Sequence, residues 1–205
     1  MTREIEVKFR LKDVAALRRR LAELSAQHAG TVQETNWILD TPARELLGRG
    51  CGLRIRVAQP LDGPGPRRVT LTYKGPRDPG LHDRGIKARE EIETEAADDA
   101  RLVALFARLG FTPVLCYEKR RETWRLGGAE VTADELPELG WFAEIEAADT
   151  GVIEAVRAQL GLEPAAAVAE TYPELTARHG TPDAGGTRSL RFPAGTPESA
   201  DGRGA

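Results

Sequence analysis

Cysteine is scarce in this chain: Cys51 and Cys116 stand far apart with no metal-ligand spacing beside either, which excludes a disulfide framework and a cysteine-based zinc site. Both are read as free thiols. Histidine is nearly as rare, and His28, His82 and His179 lack the close spacing of histidine metal motifs, so they are read as surface residues. No apolar run is long enough for a signal sequence or a membrane span, and Arg3, Glu4, Glu6, Lys8 and Arg10 crowd the start. A cytoplasmic protein with no membrane partner is expected. An excess of basic charge is also missing, since 29 Lys+Arg face 32 Asp+Glu for a net charge of -3, which argues against a nucleic-acid partner.

What is present describes a globular domain: 205 residues, 40% hydrophobic and 30% charged. A chain of this length buries roughly 70% of its unfolded surface without needing disulfides or a structural metal. The folded unit is read as residues 1 to about 179. From Gly180 to Ala205 the text turns to Gly, Pro, Ser, Thr and Ala, with Leu190 and Phe192 its only large apolar residues, and a disordered tail is expected. The other reading of that tail docks Leu190 to Phe192 on a partner. Two further Gly/Pro stretches, Gln59 to Arg68 and Gly75 to Gly85, read as loops, the second as a mobile loop at a site mouth.

Four helices are predicted. Asp13 caps a segment in which Val14, Leu17, Leu21 and Leu24 repeat at helical spacing, and Asp98 or Asp99 caps another that carries Leu102, Leu105, Phe106 and Leu109 and stops at Gly110. A third runs from about Gly151 to Leu160, and a short fourth follows Tyr172, with Pro173 in its first turn. Arg18, Arg19 and Arg20 read as a solvated helix face.

The strands carry more information. Glu4, Glu6 and Lys8 alternate with Ile5, Val7 and Phe9, and the same period of two sets Arg54 and Arg56 on one face, then Thr70, Thr72 and Lys74, then Lys87, Arg89, Glu91 and Glu93. Lys119 with Arg121 and Glu144 with Glu146 repeat it. A half-buried antiparallel sheet explains any one of these strands. It does not explain the set, because like charges on consecutive same-face positions repel, and a solvated face ordinarily mixes its polar types.

A barrel with its charged faces inward and its apolar faces under helices turns these residues into the lining of a cavity. Its inward candidates are seven cations (Lys8, Arg54, Arg56, Lys74, Arg89, Lys119, Arg121) and seven carboxylates (Glu4, Glu6, Glu91, Glu93, Asp134, Glu144, Glu146). Paired carboxylates suit Mg2+ or Mn2+, and clustered Arg and Lys suit phosphate oxygens. A polyphosphate that chelates a divalent metal needs both.

These residues resemble the CYTH, or triphosphate tunnel metalloenzyme, superfamily, whose hallmark Glu-x-Glu-x-Lys strand is here Glu4-Ile5-Glu6-Val7-Lys8. Within it the chain is similar to the CyaB-like, class IV adenylyl cyclase branch. The text that carries the likeness is Leu39-Asp40-Thr41-Pro42, Leu53-Arg54-Ile55-Arg56, Thr72-Tyr73-Lys74-Gly75-Pro76, Arg89-Glu90-Glu91-Ile92-Glu93, Glu118-Lys119-Arg120-Arg121, and Asp134 followed by Leu139 to Glu146. It spans about residues 2 to 179. The resemblance implies an α+β fold, a closed eight-stranded antiparallel tunnel with helices packed on its outside.

It also implies roles. Metal ligands would be Glu4, Glu6, Asp134, Glu144 and Glu146 with Glu93 or Glu91, for Mg2+ or Mn2+. Phosphate would be held by Lys8, Arg54, Arg56, Lys74, Arg89, Lys119 and Arg121, and catalysis would rest on Glu4, Glu6 and Lys8. Arg120 alternates outward and is left out. The implied activity is an enzyme's, conversion of ATP to cyclic AMP and pyrophosphate, or else hydrolysis of inorganic, nucleoside or thiamine triphosphate. A non-catalytic polyphosphate or nucleotide sensor is a third reading, and an interaction module with solvated charges a fourth. The exposed apolar strand faces leave room for a homodimer.

Overall fold

The computed structural model describes residues 2–78 and 86–193. The period-two text forms strands β1 (Thr2–Arg10), β2 (Gln27–Asp40), β3 (Gly52–Pro60), β4 (Arg68–Lys74), β5 (Ile86–Ala96), β6 (Thr112–Leu126), β7 (Ala129–Leu136) and β8 (Gly140–Ala147). They pair in the order β2-β3-β4-β5-β1-β8-β7-β6, and β6 returns to β2, so eight antiparallel strands close a barrel. The β6 to β7 hairpin turns on Gly127 and Gly128, both at positive φ (58° and 87°), as a two-residue turn that matches the strand twist requires.

The outward faces are apolar and the helices cover them. Ile5, Val7 and Phe9 of β1 pack with Leu17 and Leu21 of α1 (Val14–Glu23) and with Ile153 and Val156 of α4 (Thr150–Gln159). Truncating one of the fully buried members, Leu21 or Ile153, to Ala would cost about 2–5 kcal/mol. Both predicted caps are present, Asp13 accepting from the Ala16 N–H at 3.0 Å and Asp98 from Arg101 at 3.1 Å ahead of α3 (Asp99–Arg108), and Asp149, not expected from the sequence, caps α4 by accepting from Val152 at 3.0 Å. Arg18 is not merely solvated, because its Nε donates to Glu122 on β6 at 3.0 Å.

A short helix, α2 (Glu45–Gly48), goes beyond the four expected ones. Four residues leave no periodicity to read; the turn exists because the Asp40 carboxylate accepts from the N–H groups of Leu46 and Leu47, each at 3.0 Å. Helix α5 (Tyr172–His179) begins in a capping box between Thr171 and Glu174, with Pro173 in its first turn. Packed outside the barrel like the other helices, it also contributes its first turn to the lining of the cavity.

The expectation of a disordered tail from residue 180 is corrected as far as residue 193. Strands β9 (Thr181–Pro182) and β10 (Arg188–Leu190) follow α5, and β10 pairs in parallel with Leu115 to Tyr117 of β6. That edge is open because β7 begins its pairing with β6 only at Arg120. Leu190 is buried with Tyr117, Leu136, Phe142 and Leu175, Arg191 stacks over the Trp37 ring at 4.9 Å, and the Phe192 N–H donates to Glu118 at 3.0 Å. Composition undercounted this segment because one strand edge and one apolar slot suffice to hold it. Residues 194–205 and the tip of the 75–85 loop, with His82, lie outside the described residues, so the mobility expected there does too. No helix among the described residues is long and apolar enough to cross a membrane.

Candidate active site

Alternate residues of a closed barrel face inward, and register decides which of them meet. Lys8 of β1 lies opposite Glu144 of β8, and one step along the same face Glu6 lies opposite Glu146, which in turn faces Glu130 of β7. On the far wall Lys119 of β6 faces Glu34 of β2, and Arg121 faces Asp134 of β7. Arg54 of β3 faces Thr72, and Lys74 of β4 faces Glu91 of β5. Of these, Glu6, Lys8, Arg54, Lys74, Glu91, Lys119, Arg121, Glu130, Glu144 and Glu146 line a cavity of about 710 Å³. That volume falls within the range of small-molecule sites, roughly 300–1,000 Å³.

The interior charges form a chain of alternating sign. Arg56 Nε lies 3.2 Å from Glu34, which lies 3.5 Å from Lys119 Nζ; Lys119 is 3.2 Å from Asp134, and Asp134 takes a bidentate fork from Arg121 at 2.7 and 2.6 Å. Arg121 then reaches Glu144, which is 3.6 Å from Lys8 Nζ. A second group pairs Lys74 with Glu91, and Arg54 with Glu93 at 3.7 Å, where the Thr72 hydroxyl also donates to Glu93 at 2.8 Å. Paired in this way, charges can stand in a cavity wall that would otherwise strip them of water at great cost.

Titration follows from the same contacts. Burial alone would raise the Glu34 carboxyl, but Arg56 and Lys119 outweigh it and hold the group well below the usual carboxylate range. Glu144 is held low against its burial by Lys8 and Arg121. Burial, then Arg121, push Lys119 down to about 8, with Asp134 and Glu34 pulling the other way. Burial and the nearby Lys8 likewise bring Lys87 to about 8, its nearest carboxylate being Glu6 at 3.8 Å.

The lining is polarised along the barrel. At one end Ile38 faces Leu115 and Leu39 faces Leu53, and Leu47 of α2 with Pro173 and Ala177 of α5 add to this apolar wall. Tyr172 of α5 stands where it meets the charges: its hydroxyl donates to Asp134 at 2.7 Å, and Lys8 Nζ sits 3.6 Å above its ring centroid. Burial and the facing Asp134 push the phenol well above its ordinary range, so it stays a donor. At the other end Glu6, Glu130 and Glu146 line the wall.

Of the residues expected from sequence, Glu6, Lys8, Arg54, Arg56, Lys74, Arg89, Glu91, Glu93, Lys119, Arg121, Glu144 and Glu146 all line this one cavity. The backbone of Glu4 pairs with Arg89, and its side chain lies outside the described residues. Asp134, expected as a metal ligand, is not among the residues that line the cavity. It is fully buried behind the wall, and both its oxygens are taken by Arg121, Lys119 and Tyr172. Arg120 points outward to Glu135 and to the Phe192 ring.

Sequence reasoning missed Glu34, Glu130 and Tyr172, and it placed Lys87 on a charged strand face with Arg89 without counting it among the inward cations. Glu130 shares the period of two with Asp134, so extending that alternation finds it. Glu34 has no like-charged neighbour on its strand face, and Tyr172 arrives from a helix, where no strand pattern applies.

Carboxylate oxygens are the right donors for a hard divalent ion. Among the described residues no three acidic, His or Cys groups converge closely enough to hold a metal by themselves. Mg2+ is usually bound by one or two carboxylates together with substrate phosphates. Glu6 and Glu146, side by side on β1 and β8, fit the part.

A closed antiparallel barrel around one cavity, lined by both cations and carboxylates, is the class of architecture that the fold and the site define. The comparisons give the class its family. The CYTH domain model matches residues 2–172, and the chain belongs to that family. Adenylate cyclase CyaB of Aeromonas hydrophila is 34% identical over 144 residues, 69% of this chain and 67% of that one. A Pyrococcus horikoshii structure is 29% identical with a TM-score of 0.71, over 85% of this chain and 98% of its own. A Vibrio parahaemolyticus structure shares the fold at 23% identity and a TM-score of 0.72, covering 86% and 98%.

Proposed function

We propose that this chain is a divalent-metal-dependent enzyme that works on triphosphates inside the barrel, and that its reaction is that of a class IV adenylyl cyclase, ATP to cyclic AMP and pyrophosphate. The observation that carries this reading is the single cavity in which Lys8, Arg54, Arg56, Lys74, Arg89, Lys119 and Arg121 meet, with an apolar wall at one end and carboxylates at the other. The cations match a triphosphate and the apolar end matches an organic group attached to it. The 34% identity to CyaB supports the cyclase branch.

In this reading Arg54, Arg56, Lys119 and Arg121 orient the phosphates and stabilise charge on the departing pyrophosphate. Lys8, held over Tyr172, places the reacting phosphoryl group. Glu6 and Glu146, with Glu4, would hold Mg2+ or Mn2+, and Glu91, Glu93 and Glu144 complete the acidic wall. A divalent ion bound there neutralises phosphoryl charge and favours ionisation of the attacking oxygen. Glu6, or Glu4, takes the proton as the ribose 3'-oxygen bonds to the α-phosphorus and the bond to the bridging oxygen breaks. Asp134 positions Arg121 and Lys119.

Hydrolysis is the second reading, with water as attacker. The exposed Glu130 and Glu146 favour it, because they bring solvent to the carboxylate wall. A sensor could rely on cations alone, so the acidic wall supports catalysis. The free cysteines suit a reducing compartment. The test is to incubate the protein with Mg2+ or Mn2+ and, separately, ATP, tripolyphosphate and thiamine triphosphate, and to resolve the products by ion chromatography. Cyclic AMP with pyrophosphate supports the cyclase, orthophosphate supports the hydrolase, and no product from any substrate refutes both.

A further inference from the structure

We infer that Glu34 is a positioning residue that aims Arg56 and Lys119 at the phosphate chain, an inference that rests on the triphosphate reading of the cavity. Glu34 is 2% exposed and does not line the cavity, whereas Arg56 and Lys119 both do. Its strand, β2, runs between β3 and β6, so one carboxylate reaches a cation on each neighbouring strand: Arg56 Nε at 3.2 Å and Lys119 Nζ at 3.5 Å. Ala58 stands directly opposite Glu34 on β3, and this small residue leaves Arg56 space to come in on the diagonal. Asn36 fixes the corner, donating from Nδ2 to Glu34 at 3.3 Å and accepting from Arg56 Nε at 3.1 Å.

Stability does not account for such a group, since an apolar side chain of similar volume generally serves a buried site as well as a buried ion pair does. Attraction for substrate does not account for it either. A negative charge behind two phosphate-binding cations weakens the field a polyphosphate meets. What remains is geometry: Arg and Lys side chains lose much rotamer freedom when held, and a buried carboxylate ion-paired with both restricts that freedom before substrate arrives.

The two effects predict opposite signs, which makes the inference testable. Glu34→Gln keeps the shape and raises the positive charge of the interior by one, so electrostatics alone predicts tighter binding. Positioning predicts that tripolyphosphate, titrated calorimetrically into the metal-free protein, binds about tenfold more weakly, and that kcat with Mg2+ and ATP falls by about tenfold or more. Glu34→Asp keeps the charge but shortens the reach, so positioning predicts losses in the same direction. This second variant carries the test if Glu34→Gln does not fold. Affinity and kcat at or above the wild-type values in a folded variant, whatever the melting temperature, overturn the inference. Failure of the wild-type protein itself to bind tripolyphosphate or ATP overturns the triphosphate reading instead, and the inference falls with it.

Discussion

Asp134→Asn keeps the shape of the side chain and removes its charge, which separates two roles that a buried carboxylate could have in this barrel. The residue, itself shut off from solvent, accepts from Arg121 at 2.7 and 2.6 Å, from Lys119 at 3.2 Å and from the Tyr172 hydroxyl at 2.7 Å. Neutralising it leaves two buried cations short of their counter-charge, and breaking a buried pair of this kind costs about 3–5 kcal/mol. At about 2–4 °C per kcal/mol for a chain of this length, the melting temperature in EDTA should fall by roughly 6–20 °C. A carboxylate whose purpose is to bind metal behaves in the opposite way, because without the ion its charge is unmatched and losing it stabilises. Differential scanning calorimetry of both proteins in EDTA decides. An unchanged or raised melting temperature for Asp134→Asn would refute the reasoning.

Other substitutions separate the walls of the cavity. Glu6→Ala or Glu146→Ala should abolish turnover, while Lys8→Ala should mainly raise KM; full activity in the Glu6 variant removes the metal assignment, and steady-state kinetics at saturating Mg2+ reads all three. Because the Glu34 carboxyl titrates below its ordinary value of 4.5, the native state binds fewer protons than the unfolded chain just below that pH. Its stabilisation is therefore complete above about 4.5 and lost as pH falls from there, so urea unfolding between pH 6 and 3.5 should weaken wild type more than Glu34→Gln. Leu190→Ala should cost about 2–3 kcal/mol by chemical denaturation, as removing a buried Leu side chain does. A change within error would return that segment to the status of a loose tail.

The barrel was legible because its evidence is local and periodic. Ile5, Val7 and Phe9 against Glu4, Glu6 and Lys8 specify a strand with one greasy and one ionic face, and only a closed sheet lets several such strands turn the ionic faces toward one another. Two helix caps were legible for the same reason, since Asp13 and Asp98 act within three residues of themselves. The missing parts depend on partners distant in sequence. Nothing near Glu34 announces that β3 and β6 will flank β2, and nothing near Tyr172 announces that Asp134 will be within reach of its hydroxyl. Leu190 was misjudged because its value comes from a slot built by Tyr117, Leu136, Phe142 and Leu175, residues spread over four other elements.

The interior carboxylates also divide by where they stand, and the division has a sign. Glu91 lines the cavity and pairs with Lys74 from inside the space a phosphate would enter, with Arg89 a further 3.6 Å contact. It therefore competes with substrate for those cations, whereas Glu34 holds its cations from behind. Glu91→Gln and Glu34→Gln each raise the interior charge by one, so a net-charge account predicts the same response from both. The positional account predicts opposite responses. Tripolyphosphate titrated into metal-free protein should bind Glu91→Gln roughly tenfold more tightly, about 1.4 kcal/mol, and Glu34→Gln more weakly. Two shifts in the same direction would mean that the tunnel responds to its total charge alone, and that the placement of each carboxylate relative to the cations has no bearing on how the anion is held.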